Sequence, residues 1–171
     1  SIGDPVTRER QLIELGNCVN GKSIDNRVSV YILLEVLKSL KDKEVPYDIY
    51  GVFTVQEEIG LRGAFTSTHL IDPDFGFGLD TTIAFDVPGA QAHEKVTSLG
   101  KGAGIKVMDS SAVCDYRMVK YLKELADKKK IKWQIEILPR GGTDTAGIQR
   151  AGKKGSITGA ISIPTRHIHQ A

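Results

Sequence analysis

Apolar residues recur along this chain at two different spacings, and segments with one spacing alternate with segments showing the other. After Ser23, residues Val30, Leu33, Leu34, Leu37 and Leu40 fall on one face of a helix, with Ser23 or Asp25 placed to cap its start. Tyr47–Gln56 is rich in β-branched and aromatic residues and reads as a buried strand, followed by a short helix over Leu61–Leu70 and a second strand over Phe75–Val87. Residues 88–102 carry the glycines of a loop, and Gly104–Met108 is a short strand. Val113–Lys129 is a helix with Val119, Leu122, Leu125 and Ala126 inward. Ile131, Trp133, Ile135 and Ile137 alternate with Lys132, Gln134 and Glu136, which predicts a strand buried on its Ile/Trp face. Thr143–Ala151 is a short helix and Ser156–Ile163 a last strand, while residues 1–22 are extended or irregular. Strands alternating with helices require a layered α/β domain with a parallel or mixed sheet.

The 171 residues suffice for one domain with a sizeable core. A hydrophobic content of 40% and a charged content of 26% fit a globular protein. The net charge of +2 is too small to imply nucleic acid or a membrane surface as partner, and the Lys128–Lys130 run reads as a solvated helix end. No apolar run approaches the roughly 20 residues of a membrane span, and no signal peptide is visible, so a cytoplasmic location is expected. Cys18 and Cys114 have no metal-type spacing and are expected as two free, buried thiols.

Polar residues that interrupt apolar context near element ends carry the chemistry. Asp25 opens the first long helix, Glu57 and Glu58 close the first strong strand, and Asp80 lies inside FGFGLDTTIAF. Asp144 follows Gly141 and Gly142, and His167 and His169 follow the last strand. Taken singly, Asp25 and Asp144 read as helix caps, the Glu pair as a solvated turn, and each His as a surface or core residue. Asp80 resists such a reading, because a carboxylate within an apolar strand costs several kcal/mol unless paired or metal-bound. Taken together, carboxylates plus imidazole are a ligand set for Zn²⁺, Mn²⁺ or Co²⁺. Such a set at one sheet edge can hold two ions about 3.5–4 Å apart, with a water to activate and a base beside it. Neighbouring side chains diverge, so of Glu57 and Glu58 one can bind metal while the other faces the water.

The motifs GKSIDNR, FTVQEEIGLRGA, GLDTTIAFDVPG, LGKGAGI, PRGGTD and ISIPTRHIH occur in this order, within a stretch from about Gly3 to His169. Together they resemble the tetrahedral (TET) aminopeptidases, cocatalytic-metal peptidases of glutamyl and deblocking type. The resemblance implies a three-layer α/β/α sandwich with a mixed, mostly parallel central sheet. It implies two divalent ions (Zn, Co or Mn), a peptide substrate and a homo-oligomer, a dodecamer of dimers in the full-length family. Asp25 matches the carboxylate bridging both metals, Glu57 the general base, Glu58 a terminal ligand of one metal, Asp80 the terminal carboxylate of the other and His169 an imidazole ligand. Asp86 falls on a loop beyond the matching position. Gly141, Gly142 and Asp144 are expected at the substrate rim, a turn plus helix cap being the alternative. Asn26 stands where the family usually has Asp. Residues 1–16 resemble the end of an inserted β-rich dimerisation domain, and 17–171 an incomplete catalytic domain whose remaining His ligand lies upstream in relatives. His69 and His93 lie outside the matching context and are expected at the surface. A related cocatalytic hydrolase (a carboxypeptidase or deacylase) and an inactive fragment serving as an interaction module are the alternative functions.

Overall fold

A computed structural model describes residues 2–4, 6 and 9–170. The chain begins with a small antiparallel hairpin, β1 (Ile13–Leu15) and β2 (Cys18–Asn20), in the stretch expected to be irregular. Then follow α1 (Ile24–Leu40), α2 (Arg62–Ile71), β3 (Phe75–Ile83), a 3-10 turn at Ala92–Glu94, β4 (Ala103–Met108), α3 (Tyr116–Lys129), β5 (Trp133–Ile137), α4 (Thr145–Ala151) and β6 (Ile157–Thr165). The sheet order is β3-β6-β4-β5. The pairs β3/β6 and β4/β5 are parallel and β4/β6 is antiparallel, so the sheet is mixed and mostly parallel, as expected.

Glycines show how the layers seat. Gly159 of β6 has no room for a Cβ beneath Met118 of α3, while Gly76 and Gly78 of β3 lie as tightly under Ile148 and Thr145 of α4. Gly159 is in register with Phe77, so Gly76 and Gly78 point to the opposite face. Helices therefore cover both faces. Ile105, Met118, Leu122 and Ala126 form the buried cluster on the α3 side, with Trp133, Ile157 and Ile161 packed against it. The α4 side is polar: Asp80, Thr82, Ser162, Lys106 and Glu136 share it and are buried.

Three expectations are corrected. Tyr47–Gln56 forms no strand. Among the described residues it has no ladder partner; Gly51 lies against Leu37 of α1, and the Val55 carbonyl accepts from Gly63 N at 3.0 Å. Strand propensity without a hydrogen-bonding neighbour leaves an extended segment, and Tyr47, Tyr50 and Val55 remain exposed, as do Val30, Tyr31 and Leu34 on α1. The second correction concerns β5. Its Ile/Trp face points toward the α3 side, but at the sheet edge, where Ile135 and Ile137 are 38% and 51% exposed, whereas Glu136 is fully buried. Glu136 can be buried because Lys106 Nζ lies 2.6 Å from its Oε1. Third, only Cys114 is buried; Cys18, in the surface hairpin, is exposed. His69 and His93 are exposed, as expected.

The Lys106–Glu136 pair yields a prediction. Both side chains are wholly buried, and removing one partner strands a charge, which costs roughly 3–5 kcal/mol. Lys106→Met is expected to lower the thermal midpoint by about 10 °C, at roughly 2–4 °C per kcal/mol for a chain of this size. Lys106→Met combined with Glu136→Leu is expected to recover part of that loss in the same melting experiment.

Candidate metal and substrate site

Most of the residues expected to carry the chemistry meet at one cavity of about 490 Å³. Asp25, Glu57, Glu58, Asp80 and His169 line it, with Leu61, Thr82, Ile83, Leu138, Arg140, Gly142 and Thr143 among the others.

Glu57 and Glu58 sit at the tip of a sharp reversal. The Glu57 carbonyl accepts from Gly60 N at 3.1 Å and Leu61 N at 2.9 Å, and Arg62 N and Gly63 N turn back to Gln56 and Val55. At Gly63 a Cβ would stand 2.5 Å from Val55 N, so only glycine lets the two arms of the turn close. The reversal exposes Glu58 and half-buries Glu57.

Asp25 does not cap α1 as its position suggested. Asp25 and Asn26 have non-helical backbone angles, and neither Asp25 nor Ser23 donates or accepts a side-chain cap. Asn26 takes that role, its Oδ1 accepting from Ser29 N at 3.3 Å. Asp25 turns into the cavity, where its Oδ2 lies 3.0 Å from His169 Nε2; Glu58 Oε2 lies 3.4 Å from the same nitrogen. Ligand atoms of Asp25, Glu58 and His169 all fall within 4.8 Å of one another. Two carboxylates and an imidazole converging like this fit a borderline divalent cation such as Zn²⁺.

Asp80 lines the same cavity but stands outside that trio. Its Oδ1 accepts from Asn26 Nδ2 at 2.9 Å and from Thr81 N at 2.8 Å. Among the described residues, His169 contributes the one imidazole of the lining. Asn26, where the resemblance led to an Asp, thus holds Asp80 in place and also donates to Leu79 O at 3.1 Å. Asp144 makes no side-chain cap to α4 either; Thr54 Oγ1 donates to its Oδ2 at 2.5 Å, while its Oδ1 is buried without a partner. Asp86 lies apart, paired with Arg166 Nε at 2.7 Å, and His167 is exposed beyond β6.

Crowding of carboxylates sets the electrostatics. Burial first, then Asp144, Glu58 and Asp25, push Glu57 up to about 7. Burial and then Glu57 push Asp80 up to about 8, against the lowering effect of the Thr81 amide. Burial also raises Asp144, offset in part by Thr54. Carboxylates gathered where each disfavours the charge of the next would be relieved by a bound cation.

A sequence profile of the M42 glutamyl aminopeptidase family matches residues 1–171. The chain belongs to the M42 family. It is 38% identical over 169 residues to a putative aminopeptidase of Acetivibrio thermocellus, covering 99% of this chain and 50% of that protein. An aminopeptidase structure from the archaeon Desulfurococcus kamchatkensis superposes with a TM-score of 0.88 at 40% identity, over 95% of this chain and 46% of that one. The Pyrococcus horikoshii TET1 peptidase, reported to assemble into a tetrahedron or a large octahedral shell, superposes with a TM-score of 0.74 at 31% identity, over 89% of this chain and 43% of its own. The M42 chain thus spans about half the length of the relatives it matches. Similarity at this level establishes the α/β fold of the TET aminopeptidases for this M42 chain.

No helix among the described residues is long and apolar enough to cross a membrane. The residues around the site that sequence reading missed are those bonded to its members or packed behind them: Asn26 on Asp80, Thr54 on Asp144, and the buried Lys106, Asp109 and Glu136 behind the cavity wall. Asn26 alone had a signal, because the resemblance led to an Asp at that position.

Proposed function

We propose that this chain carries the catalytic half-site of a metal-dependent aminopeptidase that removes N-terminal residues from peptides. The observation that carries the reading is the convergence of Asp25, Glu58 and His169 beside a base-competent Glu57. Asp25, Glu58 and His169 would hold one divalent ion and Asp80, with Asp25, would contribute to a second; Zn, Co and Mn all suit such donors. Bound there, the ions would polarise the scissile carbonyl and acidify a water. Glu57 would take the proton of the attacking water and pass it to the leaving amine. The carboxylate-rich wall would favour the positive α-amino group of a free N-terminus. Gly142 and Asp144 would border the peptide, with Asp144 steadied by Thr54.

Residues 1–16 are proposed as the end of an inserted dimerisation domain and 17–171 as catalytic domain. The exposed apolar side chains of α1 and of 47–55 are a surface for further protein, in keeping with a homo-oligomer of TET type acting in the cytoplasm.

Elemental mass spectrometry after dialysis against Zn²⁺ or Co²⁺ tests the site. One ion per 171-residue chain is expected, because Asp80 shares the cavity with no imidazole of its own. Asp25→Ala or His169→Ala is expected to weaken that binding at least tenfold. Retention of no ion would remove the metal reading and favour a folded interaction module. Two ions would show that Asp80 finds a further ligand.

A further inference from the structure

Three charged side chains lie sealed behind the cavity wall. Lys106 Nζ is 2.6 Å from Glu136 Oε1 and 3.6 Å from Asp109 Oδ2, and all three side chains are completely buried. The cluster carries one cation and two carboxylates. Glu136 reaches it from the edge strand β5 by crossing Gly104, where a Cβ would meet Glu136 Oε2 at 3.2 Å. Apolar residues of similar volume would serve stability as well or better than buried ions, so stability alone does not account for this arrangement. What ions offer instead is direction, because each hydrogen bond fixes where its partner sits.

The bonds lead to the cavity. Thr82 Oγ1 donates to Glu136 Oε1 at 2.6 Å, and Thr143 Oγ1 donates to Asp109 Oδ2 at 3.0 Å; both threonines line the cavity. The other oxygen of Asp109 accepts from Ser111 N at 2.8 Å, Ser111 Oγ at 2.7 Å and Ala112 N at 2.8 Å. Ser110 in turn grips the opposite arm of the Arg140–Thr143 turn, its N and Oγ donating to Gly141 O at 3.1 and 2.5 Å. Ser111 Oγ stands where a Cβ on Gly142 would be, 2.6 Å away. A turn with two successive glycines has little rigidity of its own. Here it is clamped from both sides by residues that Asp109 orders. Among the described residues the N–H and C=O of Gly142 make no hydrogen bond, which leaves both for a peptide main chain.

We propose that Asp109, held by Lys106, is a positioning residue for substrate binding, acting through Thr143 to fix the Arg140–Thr143 turn against which the peptide backbone lies. The proposal rests on the aminopeptidase reading for its substrate, but not for its mechanics. With the turn loosened, a peptide must order it on binding, so affinity suffers while the water-activating groups, on other elements, do not.

The test uses the active, metal-loaded peptidase with short free-N-terminus peptides. Thr143→Val keeps the side chain's shape and removes the hydroxyl. A rise of about tenfold in KM is expected, with kcat within about threefold and ion content unchanged, and Thr143→Ser is expected to restore KM. Asp109→Asn, which keeps the oxygen facing Ser111 and Ala112, is expected to reproduce the effect. Unchanged KM with a lowered melting temperature would overturn the proposal in favour of a purely structural cluster, and a loss confined to kcat would overturn it in favour of a direct catalytic role. Amide hydrogen exchange decides the mechanics independently of turnover. Thr143→Val should speed exchange at Gly141–Thr143 relative to β4 and β6, with Thr143→Ser reversing it; unaltered local exchange overturns the proposal. If the unmodified protein cleaves no peptide with a free N-terminus, the aminopeptidase reading fails while the exchange result still stands or falls by itself.

Discussion

Replacing Glu57 by Gln is expected to lower kcat about a thousandfold while leaving the ion content of the peptidase unchanged. The expectation follows from where the turn places the side chain. Glu57 is half-buried, close to Asp144, Glu58 and Asp25, and these surroundings lift it to about 7. A carboxyl held there exchanges protons readily near neutrality, as a base that must both accept and return a proton requires. Glutamine preserves shape and polarity but cannot take the proton. Glu57 also lies outside the trio of converging ligand atoms, so metal retention should not depend on its charge. Parallel elemental analysis and peptide assays separate the roles: if ions and activity disappear together, Glu57 is a ligand and the base must be sought elsewhere.

The second large effect concerns pH. Free of metal, the 171-residue chain is expected to be more stable at pH 5 than at pH 8. Glu57 and Asp80 are lifted to about 7 and about 8 in the folded state, both by burial first. Between the unfolded carboxylate values near 4 and these folded values, the native state holds more protons than the unfolded chain, so stability falls as pH rises. It is fully present below pH 4 as far as these two groups are concerned, and is lost through pH 7–8. Solvent screening near Glu57 discounts its share, and a remaining loss of a few kcal/mol corresponds to roughly 5–10 °C in the melting midpoint. Saturating Zn²⁺ should reverse the trend, because the ion takes the place of the protons and binds better as they leave. Calorimetry at several pH values with chelator and with Zn²⁺ provides the check. A metal-free midpoint that rises from pH 5 to pH 8 would contradict the electrostatic account of the cavity.

How much of this was legible beforehand differs from element to element. Periodicity located α1, α2, α3 and α4 and the strands β3 to β6 within a few residues, because amphipathic spacing and turn residues are local properties. It failed at Tyr47–Gln56, where strand character needs a neighbour to pair with, and none stands among the described residues. It also misjudged β5: alternation marked Glu136 as the solvent side, and nothing in its own neighbourhood revealed that Lys106, thirty positions away, would neutralise it. The helix-cap readings of Asp25 and Asp144 failed for a related reason. Each sits at a helix start, but its carboxylate is drawn to a distant partner, Asp25 to His169 and Asp144 to Thr54.

The chain alone therefore determined the layered α/β plan, the order of its elements and, through motifs such as QEEIGLRGA and PRGGTD, the carboxylates and imidazole worth watching. These are matters of local spacing and residue chemistry. The tertiary structure decided which of those groups meet. It joined Asp25, Glu58 and His169 while leaving Asp80 with Asn26, and it set a buried ionic cluster behind the Gly141–Gly142 turn. Apart from Lys106 and Asp109, which are near neighbours in the chain, those pairings span from about thirty to well over a hundred positions of sequence. They arise only when the folded sheet sets β3, β6, β4 and β5 side by side, because side-chain contact falls off within a few ångströms while separation along the chain carries no information about it.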